Sequence, residues 1–163
     1  MTERFFTLPN GAGTLLFTSS VLEHIYRYAQ VNKNDKEAGG QLFSKTPHER
    51  LVTISIATGP NPNDTRSANH FNPNLRQLNN DRKRFFNDGF HAIGLWHTHP
   101  EPIPHPSNDD RITTFKYLEA CNGEMTGFIQ VIVGNRRSPE SLGVWLASTD
   151  KNNRWIKLKE SEN

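Results

Sequence analysis

The spacing of hydrophobic and polar positions changes repeatedly along this chain, and each change marks an element. Two short apolar runs, residues 4–7 and 14–18, predict strands joined at Pro9-Asn10-Gly11, a turn sequence. Ser20-Val21-Leu22-Glu23 has the form of a capping box. Leu22, Ile25, Tyr26 and Ala29 follow at helical spacing and make one apolar stripe. A polar loop at 32–36 precedes a strand, Gly39–Phe43. Residues 50–58 alternate, with Val52, Ile54 and Ile56 on the side expected to be buried. The Pro-, Asn-, Asp- and Ser-rich segment 59–74 is long for an unstructured connection, which predicts a functional or mobile loop. Asn74–Asn87 predicts a helix with Leu75, Leu78, Arg82 and Phe85 toward one side; its basic residues are broken by Asp81 and Asp88, as on a solvated face. Ala92–Trp96 predicts a strand. Ser107 opens a further helix carrying Ile112, Phe115 and Leu118, which stops at Asn122-Gly123. Strands at 127–133, 142–147 and 154–158 close the chain, with a turn at 135–140 and a frayed tail from Glu160.

This order predicts an α/β, or mixed α+β, fold: a curved mixed sheet flanked by about three helices. At 163 residues one domain is expected, assigned to 1–159 with a tail at 160–163. A chain of this size buries about two thirds of its unfolded surface, enough for a sizeable core. The net charge of +2 demands no nucleic acid partner. A single cysteine, Cys121, forms no internal disulfide, which suits a reducing cytosol. No basic segment followed by a long apolar one opens the chain, so no signal peptide is expected. The longest apolar run, Phe128–Val133, is interrupted by Gln130 and is too short to span a bilayer. A monomer in the cytoplasm is expected.

The chemistry concentrates in Trp96-His97-Thr98-His99-Pro100 and the proline-rich loop that leads to Ser107 and Asp110. Residues two apart on a strand project from one face, so His97 and His99 aim at a common point while Trp96 and Thr98 face away. Asp110 falls in the first turn of the following helix. Two imidazoles and a carboxylate, with a fourth position left to water, form the catalytic pattern for zinc. Ser107 and Asp110 also fit a helix N-cap with an acidic residue three positions on, and that role is compatible with metal binding. Cys121 has two readings, a ligand or nucleophile and a small apolar core residue, and the second is preferred. His105, between prolines, has two readings, a ligand for a second metal and an exposed loop residue, and the second is preferred.

The spacing His-x-His-Pro-x6-Ser-x2-Asp resembles the JAMM motif of the JAB/MPN metallopeptidases. The upstream glutamate of that motif is matched by Glu37 in Glu37-Ala38-Gly39-Gly40-Gln41-Leu42-Phe43. The resemblance runs from about Ser20 to Leu146. It implies a cytidine-deaminase-like JAB domain with one zinc per chain on His97, His99 and Asp110. It also implies Glu37 as the group that takes a proton from water and returns it to the leaving amine, and Ser107 as a hydrogen-bond donor to the oxyanion. Gly39 and Gly40 would let backbone approach closely.

The spelling around Trp96 and Glu101, with Asp64-Thr65-Arg66-Ser67, is similar to a bacterial subgroup encoded beside E1/E2-like proteins in antiphage operons such as CBASS. That likeness implies hydrolysis of the bond after the C-terminal tail of a ubiquitin-like protein or a similarly conjugated protein. In CBASS the conjugated protein would be a cGAS-like nucleotidyltransferase. The alternatives are a JAB peptidase processing sulfur-carrier proteins, a RadC-like protein and a non-catalytic MPN interaction module.

Overall fold

The computed structural model describes residues 1–161. Strands β1 (Arg4–Leu8) and β2 (Gly13–Phe17) form an antiparallel hairpin, with Asn10 and Gly11 at positive φ in its turn. Helix α1 (Ser19–Tyr26) follows at once. Its cap is Thr18, whose hydroxyl accepts the Val21 N–H, so the capping box expected at Ser20 and Glu23 does not form. The apolar stripe is as expected: Leu22, Ile25, Tyr26 and, just past the helix, Ala29 are all buried.

After the loop come β3 (Gly39–Ser44), β4 (Leu51–Ile54) and β5 (Ile56–Ala57). The single strand expected over 50–58 is divided between two sheets. β4 runs parallel to β2, and β5 pairs with β3. The 59–74 segment also differs from expectation. It holds a hairpin of β6 (Thr65–Ser67) and β7 (His70–Asn72). Asp64 ties the segment together, accepting the Asn61 N–H at 2.6 Å and the Asn74 N–H at 2.7 Å. These bonds order a stretch whose composition alone suggests a loop.

Helix α2 (Leu75–Asn87) is capped by Asn74 and buries Leu78 and Asp81, while Leu75 is exposed. Strand β8 (His91–Thr98) leads through the proline-rich loop to α3 (Asn108–Ala120). α3 buries Thr114 and Leu118, and Ile112 of the expected stripe faces solvent. Asn122 and Gly123 take positive φ directly after it, the C-terminal stop expected there. The remaining strands are β9 (Gly127–Val133), β10 (Leu142–Ser148), β11 (Trp155–Lys157) and β12 (Lys159–Glu160).

The main sheet is six-stranded and mixed, in the order β11-β10-β9-β8-β3-β5, with β8 and β9 parallel. A second sheet runs β12-β1-β2-β4. One face of the main sheet meets α1 and the second sheet in a core of Leu15, Phe17, Ile25, Leu42, Ile54, Trp96, Val131 and Val144. The opposite face carries a smaller cluster of Leu118, Phe128 and Ala147 under α3. The fold is thus the mixed α+β architecture expected, with three α-helices among the described residues.

Glu160 and Ser161, expected to belong to a frayed tail, are held in place instead. Glu160 pairs with Phe6 across β12–β1, and its carboxylate accepts two hydrogen bonds from Arg4, each 2.7 Å. Ser161 donates its N–H to Phe5. The rest of that tail, residues 162–163, lies outside the described residues. Among the described residues no helix is long and apolar enough to cross a membrane.

Candidate metal centre and catalytic cleft

The site forms where β8 ends between two neighbours. On the main-core side, Trp96 is 1% exposed and donates its indole N–H to the Thr58 carbonyl. Thr98 is fully buried; its hydroxyl accepts the Ala38 N–H and donates to Gln30 Oε1. These contacts anchor the strand, so the alternate residues His97 and His99 are delivered to the other face with little freedom. Their Nε2 atoms lie 2.9 Å apart.

Asp110 meets them from the first turn of α3. Its two oxygens lie 3.3 Å from His97 Nε2 and 3.4 Å from His99 Nε2. Asp110 is held there by a capping box: it accepts the Ser107 N–H at 2.7 Å, and Ser107 Oγ accepts the Asp110 N–H at 3.1 Å. The cap therefore positions one member of the site. Burial works against the Asp110 carboxylate, but its bonds to His97 and His99 prevail and hold its pKa well below the ordinary range.

A group of three such ligand atoms fits a divalent ion. Donors at about 2.0–2.1 Å from a tetrahedral zinc are about 3.3–3.4 Å from one another, close to the Asp–His spacings here. The two imidazoles would open by roughly 0.4 Å to complete the shell. His97, His99 and Asp110 are also the cluster of potential ligands that the described residues bring together.

Glu37 lies in the same cleft, just before β3. Its position is set through its backbone: its N–H donates to the Ser67 carbonyl at 2.8 Å, and Arg66 Nε donates to its carbonyl at 2.6 Å. The hairpin β6–β7 thus holds Glu37 at the rim and leaves its carboxylate free of those bonds. Burial raises the carboxyl above its ordinary pKa, opposed by the nearby His97 and His99. Gly39 and Gly40 have the close approaches expected of them. A Cβ on Gly39 would strike the Phe71 ring, and one on Gly40 the Thr58 carbonyl.

Two further partners of the histidines are polar groups to which the sequence reading assigns no contact in the site. Glu101 Oε1 lies 3.0 Å from His99 Nδ1 and accepts the His105 N–H. Burial lowers the His99 pKa, but hydrogen bonds to Asp110 and Glu101 outweigh it and the net shift is upward. On the other side, the Gln130 amide lies 2.8 Å from His97 Nδ1. Each histidine therefore has a polar partner on the nitrogen that points away from the cluster, and such partners orient a metal-binding imidazole when they accept its N–H. A lone amide inside the apolar run of β9 was the available signal for Gln130.

The cleft has a volume of about 490 Å³ and runs between β7, α2 and α3, with Phe71, Leu75, Leu78 and Leu95 among its walls. His105 is exposed and joins through its backbone only. Cys121 lies outside the cleft lining; its thiol donates to the Tyr117 carbonyl, and burial pushes its pKa up.

Fold and cleft together define a JAB-type hydrolase. The family described as prokaryotic homologs of the JAB domain matches residues 18–149, and the chain belongs to it. Two curated relatives bear the name CD-NTase/cGAS isopeptidase. The one from Pseudomonas aeruginosa is 33% identical over 134 residues, 74% of this chain and 78% of that protein. The one from Escherichia coli is 27% identical over 141 residues, 85% of this chain and 83% of that protein. Among solved structures, protein DSY2949 from Desulfitobacterium hafniense shares the fold with a TM-score of 0.58 and 20% identity, covering 90% of this chain and 88% of that one.

Proposed function

We propose that this protein is a zinc-dependent isopeptidase that removes a conjugated protein from its targets by cleaving the bond after its C-terminal tail. The observation that carries this reading is the meeting of His97, His99 and Asp110 beside a half-buried glutamate in one cleft. The names of the two curated relatives support a cGAS-like nucleotidyltransferase as the conjugated protein. The setting is an antiphage system such as CBASS, in the cytoplasm, opposite an E1/E2-like enzyme that makes the bond. The protein acts as a monomer.

His97, His99 and Asp110 would hold the zinc, which when bound supplies Lewis acidity toward water and the scissile carbonyl. Glu37 takes a proton from the attacking water and later delivers one to the departing amine. Burial raises its pKa, which strengthens the carboxylate as a proton acceptor. Ser107 accepts the Asp110 N–H with an oxygen lone pair, so its own O–H proton is free to donate to the oxyanion. The substrate tail lies extended in the cleft, with Phe71 and Leu75 beside it. In the net reaction water adds across the amide: the tail leaves as a carboxylate and the target regains its amine.

The test uses zinc-loaded protein and a conjugate in which such a tail is joined to a lysine side chain, with products followed by mass spectrometry. Wild type should release a tail ending in a free carboxylate. Glu37→Ala should cleave about 10²–10⁴ times more slowly while still binding the conjugate. An intact conjugate with wild type, or undiminished cleavage by Glu37→Ala, would overturn the reading.

A further inference from the structure

Gln130 is an anomaly in its strand. It is 2% exposed, on β9, among Phe128, Ile129, Val131, Ile132 and Val133. A buried side-chain amide in such a run has to find partners on both its edges. Gln130 finds them on two different elements. Its nitrogen faces His97 Nδ1 at 2.8 Å, and its oxygen faces Thr114 Oγ1 at 2.9 Å. Thr114, fully buried on α3, is in turn 2.7 Å from the backbone carbonyl of Asp110. A chain of polar contacts therefore runs from His97 through Gln130 and Thr114 to Asp110. It links two of the three groups assigned above to the zinc, and Gln130 itself is part of the cleft lining.

The proton count along this chain depends on whether His97 Nε2 carries a proton. With the amide nitrogen toward Nδ1, that ring nitrogen is an acceptor, and the single proton of a neutral imidazole sits on Nε2, facing Asp110. The Gln130 nitrogen then has a second, longer bond to the Val131 carbonyl at 3.3 Å. In this arrangement the one Thr114 proton faces two acceptors, the Asp110 carbonyl and the Gln130 oxygen, and serves only one of them. An Nε2 that carries a proton cannot bind a metal.

A half-turn of the amide about its terminal bond reverses every polarity in the chain. The Gln130 oxygen then accepts from His97 Nδ1–H, the Gln130 nitrogen donates to Thr114 Oγ1, and the Thr114 proton goes to the Asp110 carbonyl. Each member of the chain has a partner of the right kind, the weak bond to Val131 is given up, and Nε2 is bare.

We propose that Gln130 is a positioning residue that sets the His97 tautomer: with its oxygen toward Nδ1–H, it leaves Nε2 bare for the metal. Thr114 fixes that orientation of the amide, because its hydroxyl can accept from the Gln130 nitrogen and donate to the Asp110 carbonyl at once. His99 has a simpler partner, the Glu101 carboxylate, which accepts from its Nδ1–H.

The inference rests on the zinc reading of the site, and the experiment separates the two. Zinc affinity is measured by competition with a chromophoric chelator for wild type, Gln130→Leu, Gln130→Glu and Thr114→Val, with thermal melting of each metal-free protein recorded alongside. Gln130→Leu should bind zinc about 10–100-fold more weakly, the usual cost of removing such a partner. Gln130→Glu, which keeps an acceptor toward His97 Nδ1, should come back to within a few-fold of wild type. Thr114→Val should fall between the two. Wild-type protein that takes up no zinc overturns the metal reading itself. Wild type that binds zinc while Gln130→Leu binds it equally well overturns only the role of Gln130. The tautomer is read on metal-free wild type by nitrogen NMR of the histidine side chains. His97 should carry its proton on Nδ1, and a proton on Nε2 would overturn the role of Gln130 in setting the tautomer.

Discussion

The two faces of β8 carry alternate residues of one strand and do opposite jobs. Trp96 and Thr98 point into the main core, where each makes a directed hydrogen bond to backbone or buried amide. His97, and His99 just beyond the strand end, point into the cleft and converge on Asp110. The first face spends its polar groups on holding the strand, and the second keeps two nitrogens directed at one another with no structural bond to satisfy them but the carboxylate. The difference shows how the site reaches its geometry. The precision of the cleft face comes from the contacts of the core face, because a strand pinned at Trp96 and Thr98 has no choice about where 97 and 99 project.

The comparison is broken most severely on the cleft face. His97→Ala, His99→Ala or Asp110→Ala should each lose bound zinc and cleavage together, with zinc measured by elemental mass spectrometry. Glu37→Ala, which removes a carboxylate assigned to proton transfer alone, should retain zinc at one per chain. Loss of zinc from Glu37→Ala to the level of the other three would make it a ligand and break the assignment.

A change on the core face should act on stability instead. Thr98→Val keeps the shape of the side chain but leaves the Ala38 N–H and Gln30 Oε1 without their partner in a fully buried place. Such a loss costs about 1–3 kcal/mol. Urea unfolding should show that decrease while zinc stoichiometry stays unchanged below the transition. A variant of full stability, or one that folds normally without zinc, would show that the two faces do not divide the work in this way.

The smallest effect is expected away from both faces. Cys121→Ser preserves the donor to the Tyr117 carbonyl and removes a thiol whose pKa burial has already raised. Conjugate cleavage should stay within a few-fold of wild type. A near-complete loss in a folded variant would return Cys121 to the chemistry.

Much of this protein was legible in its sequence, for reasons that are local. His97 and His99 share a face because strand geometry has a period of two, and Ser107 with Asp110 caps a helix because those residue types satisfy its first N–H groups. The apolar stripe of α1, the strands at 127–133 and 142–147 and the stop after α3 are likewise set by neighbours in the chain. The places where expectation and structure part are those where partners lie far away. Residues 50–58 read as one alternating strand, yet β4 and β5 belong to different sheets, a division made by β2 and β3 rather than by any residue between them. The 59–74 segment has the composition of a loop, and only the Asp64 bonds and its contacts with the Glu37 backbone show it as a hairpin that builds the cleft. Glu160 has the look of a frayed end until Arg4, 156 positions earlier in the chain, is seen to hold it. Gln130 is the clearest instance. The sequence by itself marked it only as a polar break in an apolar run. That its amide stands between His97 and Thr114 was decided by the pairing of β9 with β8 and the packing of α3 across them, because a hydrogen bond between distant residues exists only once the backbone has brought both ends to the same place.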